Sequence, residues 1–432
     1  MRICVINTGG TISSIGKPLA PMPAARFAET VDRLLGPSLT AAMPWARIHF
    51  DTGLHFDSPT GTLDSSEVRP EDWCRMAGRI LDLHEDFDAF VILHGTDTMD
   101  FTAAALPLLL NVFDARGRAR AGLAAPVILT GAQLPLFRES AAGLVLNAGS
   151  DGFANLCGAL EAARLGIAGV TILFDGTLMR GNRALKVSTR DFAAFETPHA
   201  APLARTGMAM PAVSDAPADR ARPIDAGLIR AQLDAIRAAL DDHPVVELPC
   251  VPIQPAGLMA GMIDDLVARG VRGIVLAGFG AGNVPSDRGL TGQAIRRAEA
   301  AGVLVVIASR PIRGAVGDFD YAAGAWIAGT GAVPGGDATP VALVAKATIL
   351  SAAPGHHGWD AAVVRALMAR GLAGERGFYI PSFYDVRYGE DGTIAAFVPR
   401  PGTGAPPVVK KAALKTTEAG DPPATTIFTP NK

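Results

Sequence analysis

Short, unbroken runs of apolar and β-branched residues recur along the 432-residue chain. Unbroken runs are typical of strands buried on both faces of a parallel sheet, whereas half-exposed strands alternate apolar and polar positions. Six such runs are predicted to form strands, at residues 3–6, 90–93, 127–129, 170–174, 274–276 and 303–307. The hydrophobic pattern therefore predicts a mainly parallel sheet before any other property is considered.

Segments with helical periodicity separate these runs. Pro70 and the two acidic residues after it begin a segment with one apolar face, because proline and acids favour the first turn of a helix. Asp97 or Thr98 is predicted to cap a helix that runs through residues 103–111, and Asp151 a helix over 152–165. Alternating strands and helices predict an α/β fold with right-handed crossovers, whose ligands bind beyond the carboxyl ends of the strands.

The length of the chain indicates two domains, because single cores rarely grow beyond about 250–300 residues. We predict a larger N-terminal α/β domain over residues 1–197 and a smaller C-terminal α/β domain over 246–370. The linker over 198–245 begins with a stretch rich in Ala, Pro, Asp and Arg, and ends with an amphipathic helix over 225–240. Residues 371–432 are predicted to hold a β-hairpin over 383–398 and a disordered tail.

Composition excludes several classes of protein. The chain has 42 acidic and 39 basic residues and a net charge of -3, which predicts no nucleic-acid or anionic-membrane partner. Its longest apolar run, residues 103–110, is shorter than the roughly 18 residues of a membrane span. It begins directly with strand-like sequence, which leaves no room for a secretory signal and predicts a cytoplasmic protein.

Cysteine and histidine spacing gives no sign of a disulfide framework or a metal site. The four cysteines are scattered without a CxxC motif, and the eight histidines form no HExxH motif. His356 and His357 are interpreted as a solvated pair. The chain also lacks GxGxxG, P-loop and GxSxG motifs, so we expect neither a cofactor nor a metal.

Paired glycines, Gly9 and Gly10, follow the first predicted strand, between Thr8 and Thr11. Glycines let backbone N–H groups approach a ligand closely, so this loop is a candidate nest for an anion or an oxyanion. A tight strand-to-helix turn with nothing bound explains the same spacing.

A hydroxyl and a carboxylate, Thr96 and Asp97, follow the strand at residues 90–93. Together they could pair a proton-transfer group with a clamp for a substrate ammonium, or they could simply cap the next helix. Lys186 is a candidate base, because the first 345 residues contain 27 arginines and only one other lysine, Lys17. A buried lysine can lose its proton, which arginine cannot do in practice, although a surface lysine kept by chance is the alternative.

Two further loops carry weaker signals. Asp64, Ser65 and Ser66 precede the helix at Pro70, and their side chains could bind a carboxylate or only start a turn. The glycine-rich stretch 278–285 is typical of a tight turn, from which Asn283 could face a neighbouring site.

These motifs, in this order, resemble the bacterial-type L-asparaginase family over about residues 1–365. The resemblance is closest to the cytoplasmic type I branch, and it implies a two-domain asparaginase-like α/β fold that hydrolyses asparagine without a cofactor. It rests on six segments: residues 7–12, 93–99, 130–133, 150–152, 180–183 and 280–283.

The resemblance also implies roles for single residues. Thr11 would be the nucleophile, and Thr96, Asp97 and Lys186 would form the second catalytic cluster. The substrate would be bound by Asp64, Ser65, Ser66, Asp97 and Asn283. Asn283 would act from a partner subunit, which implies a homodimer or a homotetramer.

The chain departs from the family pattern in one loop. Residues 13–23 contain no tyrosine, although family members usually carry one after the nucleophile, where it helps to activate it. Ser13 or Ser14 could replace the tyrosine, or Thr11 could be activated by another route. The missing tyrosine motivates one alternative to an asparaginase, a non-catalytic amino-acid sensor on the same scaffold. A second alternative, from the same class of enzyme, is a glutaminase or tRNA-linked amidotransferase subunit.

Overall fold

The computed structural model describes residues 1–207, 224–252, 255–317, 319 and 323–377, and the backbone of Tyr384–Tyr388 and Ile394–Pro399. Those last two strands pair antiparallel, as predicted for the hairpin. The turn between them, the predicted C-terminal tail and residues 208–223 of the predicted linker lie outside the described residues.

A seven-stranded sheet forms the centre of the N-terminal part. Its spatial order is β7-β6-β5-β4-β3-β1-β2. Strands β1 to β5 run parallel, β6 is antiparallel to β5, and β7 is antiparallel to β6. The strands are β1 (Arg2–Asn7), β2 (Arg47–Asp51), β3 (Ala89–Leu93), β4 (Pro126–Thr130), β5 (Gly169–Phe174), β6 (Thr177–Arg180) and β7 (Ala204–Arg205). The mainly parallel sheet predicted from the sequence is therefore confirmed.

Helices cover both faces of this sheet. They are α1 (Ala24–Ala42), α2 (Pro70–Leu83), α3 (Met99–Leu109) and α4 (Gly152–Ala163). Ile3 and Val5 share a core with residues of α1 and α4, whereas Cys4 and Ile6 share a second core with α2 and α3. Successive strand residues thus point into opposite cores, which is why the strands read as unbroken apolar runs.

A four-stranded parallel sheet forms the centre of the C-terminal part, in the order β8-β9-β10-β11. Its strands are β8 (Val245–Pro249), β9 (Gly273–Gly278), β10 (Leu304–Ser309) and β11 (Val333–Pro334). The predicted linker contains the helix α5 (Ala226–Ala239). The helices after it are α6 (Leu258–Ala268), α7 (Leu290–Ala300), α8 (Pro340–Ala352), α9 (Pro354–His357) and α10 (Ala361–Met368).

One continuous apolar core joins the two sheets, because α3 packs directly against α8. Polar contacts between the parts surround Arg183, whose guanidinium lies 2.6 Å from the Asp337 carboxylate and donates to the Glu375 carbonyl at 2.9 Å. The segment after α10 is held in turn by Lys346, whose Nζ lies 2.6 Å from Glu375 Oε1 in a fully buried ion pair. These contacts fasten the C-terminal segment to the chain just ahead of Lys186.

Short hairpins and 3₁₀ turns complete the described elements. The strand pairs are Ser14–Ile15 with Ala20–Pro21, Asn111–Phe113 with Ala119–Gly122, Phe137–Ser140 with Gly143–Leu146, and Leu185–Lys186 with Phe195–Glu196. The 3₁₀ turns are Thr11–Ser13, Ser65–Glu67, Gly181–Arg183, Leu240–Asp242, Asp287–Gly289 and Ala325–Gly329. Among the described residues, no helix combines the length and the apolar character that crossing a bilayer requires.

Two predicted helix caps are wrong, and the predicted solvated histidine pair is correct only in part. Neither Asp97 nor Thr98 caps α3 with its side chain, because both side chains contact other parts of the chain. Asp151 does not cap α4 either, since its carboxylate accepts hydrogen bonds from the backbone of Gln133. Of the pair interpreted as solvated, His356 is exposed, whereas His357 is half-buried, with its ring stacked on Trp359 at 4.2 Å between centroids.

Candidate active site

Two neighbouring parallel strands, β1 and β3, deliver their following loops to the same edge of the sheet. The loops are joined by backbone hydrogen bonds, since Thr8 N–H donates to Leu93 O at 2.9 Å. The segment at Leu63 pairs with the first of these loops: its N–H donates to Thr8 O at 2.8 Å, and its carbonyl accepts from Gly10 N–H at 2.9 Å. Three loops that are distant in sequence therefore form one surface.

The two glycine-containing loops touch each other through their main chains. A Cβ atom on Gly10 would lie 2.2 Å from the Cα atom of Gly95, so no larger residue fits. Gly10 also has φ 75° and ψ −178°, a conformation that is essentially restricted to glycine. Because Thr11 and Thr96 follow these two glycines directly, the close approach places both threonines at one site.

Lys186 joins this site through its ammonium group. Its Nζ atom donates to Thr96 Oγ1 at 2.8 Å and lies 2.6 Å from Asp97 Oδ1. The lysine side chain is 14% exposed, whereas the Asp97 side chain is 62% exposed and accessible to a ligand. The structure therefore brings together three of the four predicted catalytic side chains, from segments about 90 residues apart.

The main chain of Lys186 is held by a residue that the sequence interpretation missed. Asp100 Oδ2 accepts a hydrogen bond from the Lys186 backbone N–H at 3.0 Å. The only sequence signal was its position, since an acid in the first turn of a helix is so common that it carries little information.

A buried histidine, His94, stabilises the loop that carries Thr96 and Asp97. His94 Nδ1 lies 2.7 Å from Gly95 O, and its Nε2 lies 3.0 Å from Thr102 Oγ1. A carbonyl can only accept, so Nδ1 carries the proton and Nε2 accepts from the threonine hydroxyl. Burial lowers the pKa of His94 to about 4, so the ring is neutral near pH 7 and has a structural role.

The Thr11 hydroxyl is available to react, because none of the described residues occupies it. Within the described part of the chain, it has no hydrogen-bond partner, and it is half-buried. Ser14 Oγ donates to Gly10 O at 2.8 Å and Ser13 Oγ lies 3.4 Å from the same carbonyl. In this conformation both serines stabilise the turn, and neither is placed to take a proton from Thr11.

Two backbone N–H groups at the site are also free. Across the described residues, the N–H groups of Thr11 and Thr96 donate to no protein acceptor, whereas their neighbours Gly10 and Asp97 are both bonded. Unpaired N–H groups on converging loops can stabilise an oxyanion, and each such donor can contribute about 3–4 kcal/mol in a transition state.

The segment Asp64–Ser66 lies beside this surface. Ser65 is buried, and its Oγ accepts from Asp97 N–H at 3.1 Å, while its carbonyl accepts from Thr98 Oγ1 at 2.6 Å. Asp64 and Ser66 are exposed and bond to each other at 2.8 Å, as in a turn. Of the three, Ser65 is thus in direct contact with the Thr96–Asp97 loop.

Asn283 is not brought into the site. It lies after β9 in the C-terminal part, where its N–H donates to Phe279 O at 2.8 Å in a tight turn. In the described structure it is not hydrogen-bonded to any of the four predicted catalytic residues. The structure also shows no group of three or more His, Cys, Asp or Glu side chains able to hold a metal ion among its described residues.

Two models of known protein families match most of this chain. The family described as "Asparaginase, N-terminal" matches residues 2–217, and the "Glutaminase/Asparaginase C-terminal domain" matches residues 255–368. L-asparaginase 1 of Escherichia coli K12 is 31% identical over 376 residues, which cover 86% of this chain and 97% of the relative.

Two further relatives of this chain are not named as asparaginases. The human 60 kDa lysophospholipase is 34% identical over 315 residues, which cover 72% of this chain and 48% of the relative. A glutamyl-tRNA(Gln) amidotransferase subunit of Aeropyrum pernix is 30% identical over 388 residues, covering 87% of this chain and 79% of the relative.

Solved structures share the architecture. The thermostable L-asparaginase from Thermococcus kodakarensis superposes with a TM-score of 0.66 at 27% identity, covering 88% of this chain and 100% of that one. The L-asparaginase I from Vibrio cholerae gives 0.62 at the same identity, with 87% and 99% covered.

Proposed function

Because the chain belongs to the asparaginase family of amidohydrolases, we propose that it hydrolyses the side-chain amide of L-asparagine to L-aspartate and ammonia. The observation that carries the proposal is the contact of Lys186 with Thr96 and Asp97, directly beside the loop that bears Thr11. A free hydroxyl next to a lysine–threonine pair supplies both a nucleophile and a proton relay.

In the first step, Thr11 Oγ attacks the amide carbon and the carbonyl oxygen becomes an oxyanion. The Thr11 proton passes through the Thr96 hydroxyl to Lys186, which acts as a neutral amine. The free N–H groups of Thr11 and Thr96 support a role as the donors that stabilise this charge. Lys186 then gives this proton to the leaving nitrogen, the C–N bond breaks and ammonia departs, and an acyl-enzyme ester remains on Thr11.

In the second step, water attacks the ester carbon and the C–O bond to Thr11 breaks. Lys186, again as a neutral amine, takes the hydroxyl proton of Thr96 across their 2.8 Å contact while Thr96 Oγ1 takes the proton from this water. The proton returns to Thr11 Oγ, and aspartate leaves with the enzyme regenerated.

The substrate's α-amino acid end is bound beside these groups. The exposed Asp97 carboxylate binds the α-ammonium, and Ser65, with Asp64 and Ser66 next to it, forms the side of the pocket that takes the α-carboxylate. Asn283 contributes from the partner subunit of a homodimer or homotetramer. This last assignment rests on the resemblance to the family, with support from the position of Asn283 away from the site within one chain.

One relative gives reason to keep a second candidate. The similarity to the amidotransferase subunit of Aeropyrum pernix favours release of ammonia from an amide on behalf of another protein chain, with glutamine as the donor. Free asparagine hydrolysis by the isolated protein, without tRNA or a partner chain, distinguishes the first candidate from this one.

The test is ammonia release from asparagine by purified protein, in wild type and in three variants. Thr11→Ala and Lys186→Met are expected to lower kcat by a factor of about 1,000 or more, since each removes a group that acts in bond making or proton transfer. Thr177→Ala is the control and is expected to keep full activity, because the Thr177 hydroxyl accepts from Arg205 and is hydrogen-bonded to none of the four predicted catalytic residues.

Two results would overturn the proposal. Unchanged turnover in Thr11→Ala or Lys186→Met would refute the role given to that residue. Calorimetry that detects asparagine binding to wild type without any ammonia production would instead support a sensor built on this scaffold.

A further inference from the structure

We propose that Asp100 is a positioning residue for Lys186, holding the lysine main chain where its ammonium group can reach Thr96 and Asp97. The inference rests on the proposed function, in which Lys186 transfers a proton. It adds a residue to that machinery which touches no substrate and acts only through the lysine.

The contact is a hydrogen bond between a buried side chain and the backbone. Asp100 Oδ2 accepts from Lys186 N–H at 3.0 Å, and Asp100 Oδ1 accepts from Phe101 N–H at 3.0 Å. The Asp100 side chain is buried, with the residue 3% exposed. Both carboxylate oxygens are therefore committed to main-chain donors.

The strand that carries Lys186 cannot hold it alone. This strand is only two residues long, Leu185–Lys186, and pairs antiparallel with Phe195–Glu196. The Lys186 N–H points away from the partner strand and toward Asp100. Since two-stranded ribbons are marginally stable in water, the carboxylate provides an anchor that the ribbon lacks.

Asp100 belongs to the same short segment as the groups that Lys186 must meet. Thr96 and Asp97 bind the lysine ammonium, and Asp100, the second residue of α3, binds its backbone N–H. The segment 96–100 therefore holds both the backbone N–H of Lys186 and the ammonium group at the end of its side chain, which has four rotatable bonds. Lysine loses roughly 2 kcal/mol of rotamer entropy when it is ordered, so fixing its main chain favours the productive geometry.

A carboxylate at this position has a cost that an apolar residue would avoid. Burial raises the pKa of Asp100 to about 6, and its hydrogen bonds with the Lys186 and Phe101 N–H groups, together with the Lys186 charge, only partly offset this effect. A buried ionisable group that is disfavoured by its surroundings is more common at functional sites than elsewhere. The contact with Lys186 explains why this acid is present.

The experiment compares Asp100→Asn with Asp100→Ala, because asparagine keeps an oxygen acceptor for the Lys186 N–H and alanine does not. We expect kcat to fall about 100-fold in the alanine variant, the usual effect of a misplacement near 1 Å, and less than tenfold in the asparagine variant. KM changes little in either, since Ser65 and the Asp97 carboxylate are untouched. Hydrogen exchange at the Lys186 amide accelerates in Asp100→Ala and stays slow in Asp100→Asn.

A double-mutant cycle separates positioning from general structural support. In a Lys186→Met background, Asp100→Ala should lower the residual kcat less than about threefold, because there is no longer an amine to position. An equal loss in both backgrounds would overturn the proposal, as would an unchanged exchange rate at the Lys186 amide in Asp100→Ala.

Two further comparisons cover an alanine variant that does not fold and a wild type that is inactive. If the alanine variant does not fold, Asp100→Glu replaces it, since glutamate keeps the charge but displaces the carboxylate by one methylene; wild-type kcat in that variant would contradict the proposal. If wild type releases no ammonia, the proposed function fails, and the amide exchange comparison still tests the Asp100 contact.

Discussion

The close contact between Gly10 and Gly95 predicts that a side chain at residue 10 pushes apart the two loops that carry Thr11 and Thr96. In Gly10→Ala, the new Cβ atom would lie 2.2 Å from Gly95 Cα and 2.3 Å from Gly95 N. Both are main-chain atoms of a buried loop, so neither can turn aside as the end of a flexible side chain would. The loops themselves must move apart.

The magnitude follows from this distance. Carbon atoms touch at about 3.5–4.0 Å, so the loops that carry Thr11 and Thr96 must separate by more than about 1 Å. A misplacement of about 1 Å between reacting groups can cost a factor of about 100 in rate, so kcat/KM for asparagine should fall by that order. The glycine-only backbone conformation of Gly10 adds a stability loss of about 1–3 kcal/mol.

Gly166→Ala is the matched control for the backbone effect. Gly166 also has a positive φ, 63°, but a Cβ atom there would meet nothing within 4 Å. This variant should lose only about 1–2 kcal/mol of stability and keep its kcat/KM. Ammonia release and urea unfolding are measured for both variants at a temperature where both are folded. A Gly10→Ala enzyme within about threefold of wild-type kcat/KM would refute the reasoning.

Two further predictions concern stability. Lys346→Met should lower the free energy of unfolding by about 3–5 kcal/mol in urea titrations, because it leaves Glu375 charged and fully buried; adding Glu375→Gln should recover part of the loss, and an additive further loss would contradict this account. For His94, burial lowers the folded-state pKa to about 4 while the unfolded value is 6.5, so its contribution to stability is present above pH 6.5 and is lost as the pH falls through 4. His94→Gln should therefore reduce the stability lost between pH 7 and pH 4 by about 3 kcal/mol, and an identical pH dependence in the variant would rule out His94 as the cause.

The local pattern of apolar residues in the sequence predicts much of the fold. All six unbroken apolar runs are strands, because a strand buried on both faces needs no polar residue along its length. The edge strand β2 carried no such run: its residues alternate between exposed and buried positions, and one edge of it has no neighbour among the described strands. Patterns that reflect burial thus identify central strands and miss edges.

The interpretation of caps failed for a related reason. Asp151 and Asp97 each stand where a helix-capping acid is expected, yet their carboxylates bind Gln133 N–H and Lys186 Nζ. Capping is a local interaction, and a stronger partner brought near by folding displaces it. The same limit hid Asp100, whose partner Lys186 is 86 residues away.

The sequence by itself determined that two threonine-bearing loops follow buried strands, and that Lys186 stands out in a chain that otherwise uses arginine. These properties depend on residue type and on spacing within one segment, and both can be counted along the chain. Only the tertiary structure decided that the Lys186 ammonium meets Thr96 and Asp97, and that Gly10 touches Gly95. Those contacts depend on which strands become neighbours in the sheet and on the packing of α3 beneath them, and no local spacing encodes either.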